Sequence, residues 1–256
     1  MKKHLFFIAF ICLCYGFVSK PKEKPGKQIF LLMGQSNMAG RGVITDEFKD
    51  LHNNRVLMLN ANNEWVVAKH PIHFDKPKVA GIGPGLAFGM ALADAYPKDS
   101  IYLVPCAVGG TSISKWEPGA VDASTHTHPY DDALLRIKEA MKIGKITGAI
   151  WLQGESDSNQ KAAAVYLSKL MTLIEHIREE TKNPKLPFVV GELGNFRENY
   201  MLINAELNKL PTSLPFTGVV RSEDLIHKGD STHFDGASAT LYGERFAKGM
   251  LTLMKK

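Results

Sequence analysis

Five short apolar runs rich in β-branched residues constrain this chain most: "QIFLLM" (28–33), "SIYLVPCA" (100–107), "GAIWLQ" (148–153), "PFVVGEL" (187–193) and "TGVVRS" (217–222). They show no apolar–polar alternation, so both faces of each strand must be covered. Segments of helical period lie between them. Leu167, Leu170, Ile174 and Ile177 share one face of a helix predicted from about Lys161 to Glu180. Ala239, Tyr242, Phe246, Met250 and Leu253 do the same in the last segment, with Asp235 as its N-cap. "GPGLAFGMALADAYP" is a third helix, opened by Pro84 and closed by Pro97. Apolar strands alternating with helices predict an α/β chain: a three-layer α/β/α sandwich on a central, mostly parallel five-stranded sheet. "RVLMLN" and "EWVVA", joined by an Asn-rich turn, are predicted as an inserted β-hairpin outside that sheet.

No linker divides the chain after residue 28, so residues 28–256 are one domain. The opening "MKKHLFFIAFICLCYGFVSK" has a basic start, an apolar stretch from Leu5 to Val18 and then small and polar residues, the layout of a secretory signal peptide over 1–19. That stretch is too short for a membrane span, and no stable span is expected in the mature chain. "KPKEKPGK" (20–27) is a solvated leader. Secreted or periplasmic localisation follows. A lipoprotein-type anchor at Cys14 is the lesser alternative, because Leu13 is larger than the residue such a site takes before its cysteine.

Losing Lys2 and Lys3 with the leader lowers the formal charge from +5 to +3. The remaining cations are scattered without interleaved aromatics, which argues against a nucleic-acid partner. Cys12 and Cys14 fall in the leader, so Cys106 is left alone and cannot form an internal disulfide. Inside "IYLVPCAV" it is predicted to be a buried structural thiol. "GIGPGLAFG" lacks the G-x-G-x-x-G spacing and carries Pro84 in its middle, so it opens a helix rather than cradling a nucleotide.

The polar residues gather where strands end. "GQSNMAG" brings Ser36 after the first strand, "VGGTSISKW" brings Gly109 and Gly110 after the second, and "QGESDS" brings Gln153 and Glu155 after the third. "KGDSTHFDG" brings Asp230 and His233 just before the last helix. A parallel sheet presents all these loops on its carboxyl edge, where distant residues converge. Acyl transfer needs such types: a serine activated by an imidazole, a carboxylate on the other ring nitrogen, and fixed N–H or amide donors for the oxyanion. A D-x-x-H turn lets an Asp carboxylate reach the ring of its own His.

The blocks "GQSNMAG", "GGTSISKW", "WLQGESDS" and "DSTHFDG" resemble the acetylesterase branch of the SGNH hydrolase superfamily, more narrowly carbohydrate esterase family 6 and the sialate O-acetylesterase-like domain. The likeness runs from about Ile29 to Phe246 and implies a flavodoxin-like sandwich. It further implies Ser36 as nucleophile, His233 as general base, and the Ser36 and Gly110 N–H groups as oxyanion donors. "QGE" stands where the wider superfamily has Asn, which makes Gln153 the expected third donor. The acid is left between Asp230, which fits the superfamily spacing and is favoured, and Glu155, regarded in this branch as the histidine's partner. The activity implied is removal of O-acetyl groups from carbohydrate through an acetyl-serine. Acetylated xylan-type polysaccharide is the favoured substrate and acetylated sialic acid the second. A long-chain lipase or thioesterase, or a non-catalytic carbohydrate-binding protein on the same scaffold, are the rival classes. No metal or cofactor is called for: His126 and His128 read as a polar loop. Trp116 is either a sugar platform or a packed indole, and Trp151 is core.

Overall fold

The computed structural model describes residues 25–255. The signal peptide read at 1–19 and most of the leader lie outside these described residues.

The first apolar run forms β1 (Lys27–Gly34) and passes directly into the short helix α1 (Ser36–Ala39). After α2 (Asp46–Lys49), the strands β2 (Val56–Leu59) and β3 (Trp65–Val67) form the hairpin. Helix α3 (Gly85–Ala95) leads to β4 (Ser100–Pro105), and α4 (Pro129–Met141) leads to β5 (Ile146–Leu152). The long α5 (Gln160–Glu180) precedes β6 (Phe188–Gly191), then come α6 (Tyr200–Leu207), α7 (Leu210–Ser213), β7 (Thr217–Val220) and α8 (Gly236–Met254).

All five expected strands pair in parallel, in the order β4-β1-β5-β6-β7, the flavodoxin-like arrangement. The hairpin corrects the expected count. β2 pairs in parallel with β4 through Val56↔Ile101 to Met58↔Leu103, and β3 adds an antiparallel edge, so the sheet has seven strands. Val56 and Leu59 are buried there. Without the hairpin, β4 would present a row of unpaired backbone groups to solvent.

Residues of β1 alternate between two cores. Ile29, Leu31 and Met33 pack with α4, α5 and α6, whereas Phe30 and Leu32 pack with α3 and α8. Each is fully buried and contributes about 1.5–3 kcal/mol. Helices α3 and α8 approach closely at Gly243, where a Cβ would meet the Pro84 carbonyl and lie 2.9 Å from the Ala87 Cβ. Two covered faces leave the carboxyl edge of the sheet as the place where loops meet. β1, at the centre, has β4 on one side and β5 on the other, so the chain reverses winding direction at its end.

Candidate active site

Ser36 is the first residue of α1, two positions beyond β1. Gln35 N–H still donates to the Leu152 carbonyl (2.9 Å), which extends the β1–β5 pairing up to the serine. The hydroxyl is thereby fixed at the rim of the central strand.

The loop after β7 returns across this rim. Its Asp230–His233 turn has three bonds to one carboxylate. Asp230 Oδ1 accepts from the N–H groups of Thr232 (3.0 Å) and His233 (2.8 Å), and Oδ2 lies 2.7 Å from His233 Nδ1. The other ring nitrogen, Nε2, is 3.0 Å from Ser36 Oγ. The structure thus brings Ser36, His233 and Asp230 into one line. Burial works against the Asp230 carboxylate, but the backbone and ring donors of His233 and the Thr232 N–H hold it well below the ordinary carboxylate range. Burial lowers the His233 ring below its ordinary 6.5 and outweighs the neighbouring Asp230. A neutral imidazole with its proton held on Nδ1 can take a proton from the serine at neutral pH.

Glu155 falls elsewhere. Its Oε1 accepts from Asn37 Nδ2 (2.5 Å), and it makes no hydrogen bond to the His233 ring. Oε2 is sealed from solvent with no protein partner, and burial raises the carboxyl above its ordinary range. Asn37 links this group to the histidine loop: Nδ2 also donates to the Thr232 carbonyl (3.0 Å), and Oδ1 accepts from the Phe234 N–H (3.1 Å). Both residues flanking His233 are held by one amide. Asn37 went unread in the sequence, although it sits beside Ser36 in the same block.

The loop after β4 approaches Ser36 closely. A Cβ on Gly109 would lie 3.4 Å from the Ser36 Cβ. Gly110 has φ +87°, a region that glycine enters without strain. Among the described residues, neither the Gly110 nor the Ser36 N–H has a hydrogen-bond acceptor, and both remain available to an oxyanion. Gln153 corrects the sequence expectation. Its amide nitrogen donates to Gln35 Oε1 (3.1 Å), the Thr111 carbonyl (3.0 Å) and Asp157 Oδ2 (2.7 Å), so its hydrogens are committed within the core. The Tyr166 hydroxyl, 2.7 Å from the Gln153 carbonyl and 3.0 Å from its side-chain oxygen, completes the network. Gln153 braces the turn from beneath.

Two further charged residues, absent from the sequence reading, reach the same loop. Arg41 Nη2 pairs with Asp75 Oδ2 at 2.7 Å, and the Gly109 N–H donates to that oxygen at 2.8 Å. Both side chains are buried. Asp75 lies in "HFDKPK", where no local pattern marks it. Trp116 is 1% exposed, packs edge-on against Trp151 and donates to Thr111 Oγ1 (3.2 Å). It is a packed indole and offers no face to a sugar. His128 stands beside Asp131 on the surface, and no cluster of three or more His, Cys, Asp or Glu suited to a metal occurs among the described residues. No helix among the described residues is long and apolar enough to cross a membrane.

A serine set against an imidazole at the end of the central strand suits hydrolysis, and the sequence relatives make the class a carboxylic ester hydrolase. The chain belongs to the carbohydrate esterase, sialic acid-specific acetylesterase family, whose sequence profile matches residues 26–252. It is 40% identical over 187 residues to a probable carbohydrate esterase of Arabidopsis thaliana, covering 64% of this chain and 68% of the relative. The X-ray structure of that plant protein superposes with a TM-score of 0.78 at 31% identity, over 89% of this chain and 99% of the other. A carbohydrate acetylesterase from Xanthomonas citri matches with a TM-score of 0.69 at 19% identity, over 89% of this chain and 57% of that one. NanS gives 0.71 at 19% identity, over 91% and 99%. At that identity the last two support the fold alone.

Proposed function

We propose that this carbohydrate O-deacetylase works through an acetyl-serine intermediate. Ser36 Oγ attacks the acetyl carbonyl while His233 Nε2 takes its proton, and Asp230 holds the imidazolium that results. The Ser36 and Gly110 N–H groups receive the charge that develops on the carbonyl oxygen. The acyl–oxygen bond to the sugar then breaks, and His233 gives its proton to the departing oxygen, which leaves as a free hydroxyl. Water, activated by the same ring, attacks the acetyl-enzyme, releases acetate and restores the serine.

One observation carries this mechanism: the 3.0 Å contact between Ser36 and His233, backed by the 2.7 Å contact to Asp230. An intact relay supports catalysis over a purely carbohydrate-binding role. Acetylated polysaccharide of the xylan type is the proposed substrate, and the leader read at 1–19 makes secretion part of the proposal. The sialic acid in the family's description favours O-acetylated sialic acid as the second substrate.

The test is p-nitrophenyl acetate hydrolysis by wild type and Ser36→Ala. Loss of the nucleophile is expected to lower turnover by about a thousandfold or more. Activity that survives the substitution overturns the mechanism. Acetate release from acetylated xylan, pectin and sialic acid then ranks the sugars, and a chain-length series of aryl esters separates an acetylesterase from a lipase.

A further inference from the structure

The Arg41–Asp75 pair lies one residue from the proposed oxyanion donor and has no part in the relay. Its side chains are 5% and 1% exposed. A buried ion pair gives weak support to stability, because desolvating both charges costs much of what their attraction returns. Here the cost is compounded: Asp75 Oδ1 is buried with no protein partner, and Oδ2 alone takes both Arg41 and the Gly109 N–H. A native orphan of this kind calls for a reason other than stability.

The hydrogen bonds of the loop supply one. Val108 N–H donates to the Gly34 carbonyl (3.0 Å), and the Thr111 hydroxyl donates to the Val108 carbonyl (2.8 Å). Ser156 Oγ donates to the Gly110 carbonyl (3.2 Å). With Gly109 N–H bound to Asp75, the only N–H between Val108 and Gly110 left without an acceptor is that of Gly110. Without Asp75, the 108–109 peptide could turn, and Gly109 and Gly110 would compete for the incoming oxygen. A Cβ on Gly109 would meet Arg41 Nη2 and lie 3.0 Å from Asp75 Oδ2, so a side chain there would displace the pair. Arg41 is fixed in turn, donating through Nη1 to the Gly40 carbonyl (2.7 Å), while Lys228 Nζ donates to the Arg41 carbonyl (3.1 Å). The pair ties the nucleophile turn, the oxyanion loop and the histidine loop together.

We infer that Asp75, paired with Arg41, is a positioning residue that aims the Gly110 N–H at the developing oxyanion. The inference rests on the esterase mechanism above. Arg41 also cancels the negative charge that Asp75 would otherwise place beside the oxyanion. Burial pushes the Asp75 carboxyl up, but Arg41 and the Gly109 N–H outweigh it and hold it below its ordinary range.

The experiment compares p-nitrophenyl acetate with its thiono counterpart, in which sulfur replaces the carbonyl oxygen. Sulfur accepts hydrogen bonds poorly, so a well-aimed donor favours the oxygen ester and a badly aimed one does not. Asp75→Ala is expected to lower kcat on the oxygen ester about a hundredfold with KM nearly unchanged, and to erase most of the preference for oxygen over sulfur. Asp75→Asn keeps the shape and an acceptor without the ion pair; an effect of about tenfold is expected, and it decides the matter if the alanine variant does not fold. Leu173→Ala, remote in the α5 core, serves as the destabilised control and must keep the wild-type preference. Wild-type kcat in the Asp75 variants, or equal losses on both esters, overturns the inference. Ser36→Ala runs alongside: if it stays active the mechanism itself fails, and if it is dead while the Asp75 variants keep their preference, only the positioning role fails.

Discussion

At His233 two influences oppose each other, and their balance sets a measurable pH profile. Burial, helped by Lys228 and Arg41, lowers the ring, and Asp230 raises it by less than these together. The neutral form is the base, so kcat/KM should rise with pH to a plateau whose midpoint lies below 6.5. Asp230→Asn removes the partner that raises the ring, which moves the midpoint lower still, and it releases the Nδ1 proton that fixes the tautomer. Turnover should fall by about three to four orders of magnitude. Glu155→Gln preserves an acceptor for Asn37 and touches no part of the ring. It should cost less than about tenfold and leave the midpoint in place. A larger loss in the Gln variant, measured in the same pH–rate series, would move the acid to Glu155. The convergence of Ser36, Gly110, Asp230 and His233 was legible because a glycine-flanked serine, a glycine pair and a D-x-x-H turn each follow a strand, and a parallel sheet brings such loops to one edge. Gln153 misled because an amide at a strand end reads the same whether it faces the cleft or the core. Only Asp157, Thr111 and Gln35, brought in by the fold, decide between them.

Helix α8 begins two residues beyond Phe234, and its cap fixes where the histidine loop must end. Asp235 accepts from the Ser238 N–H at 2.7 Å, while Ser238 Oγ accepts from the Ile226 N–H at 2.9 Å. Asp235→Ala should cost about 1 kcal/mol. In a chain of this size that is about 2–4 °C in Tm by calorimetry, and an unchanged Tm would count against the cap. This cap, helices α3, α5 and α8 and the strands β1, β4, β5, β6 and β7 could be read from period and capping chemistry alone. The hairpin's turn was equally readable. Its docking was not, because that depends on the open side of β4, which is visible only after β1 has taken the other side. Helix α6 was hidden by its brevity and by Asn204, a polar residue on the buried face. That side chain brackets Leu193, accepting from its N–H (2.7 Å) and donating to its carbonyl (3.0 Å), much as a neighbouring strand would.

Across the whole molecule, stability rests on the two cores flanking the sheet, with no covalent cross-link among the described residues; their one cysteine, Cys106, is free and buried. Burial pushes its thiol up to about 12, although Arg136 opposes the shift. At neutral pH it is therefore neither a thiolate nor accessible, which is the state of a structural thiol. Aromatic disulfide reagents should leave Cys106 unlabelled and the folded protein fully active, and should label Cys106 once denaturant unfolds the chain. Rapid labelling of the native state, read by absorbance, would contradict this burial.

The serine and the imidazole that it meets stand 197 positions apart. The first arrives on the innermost strand, laid down early, and the second on the turn before the terminal helix. A chain whose helix α8 has not yet docked therefore holds Ser36 apart from His233. Under the mechanism proposed above, hydrolysis should appear during refolding only when the segment carrying His233 locks into place.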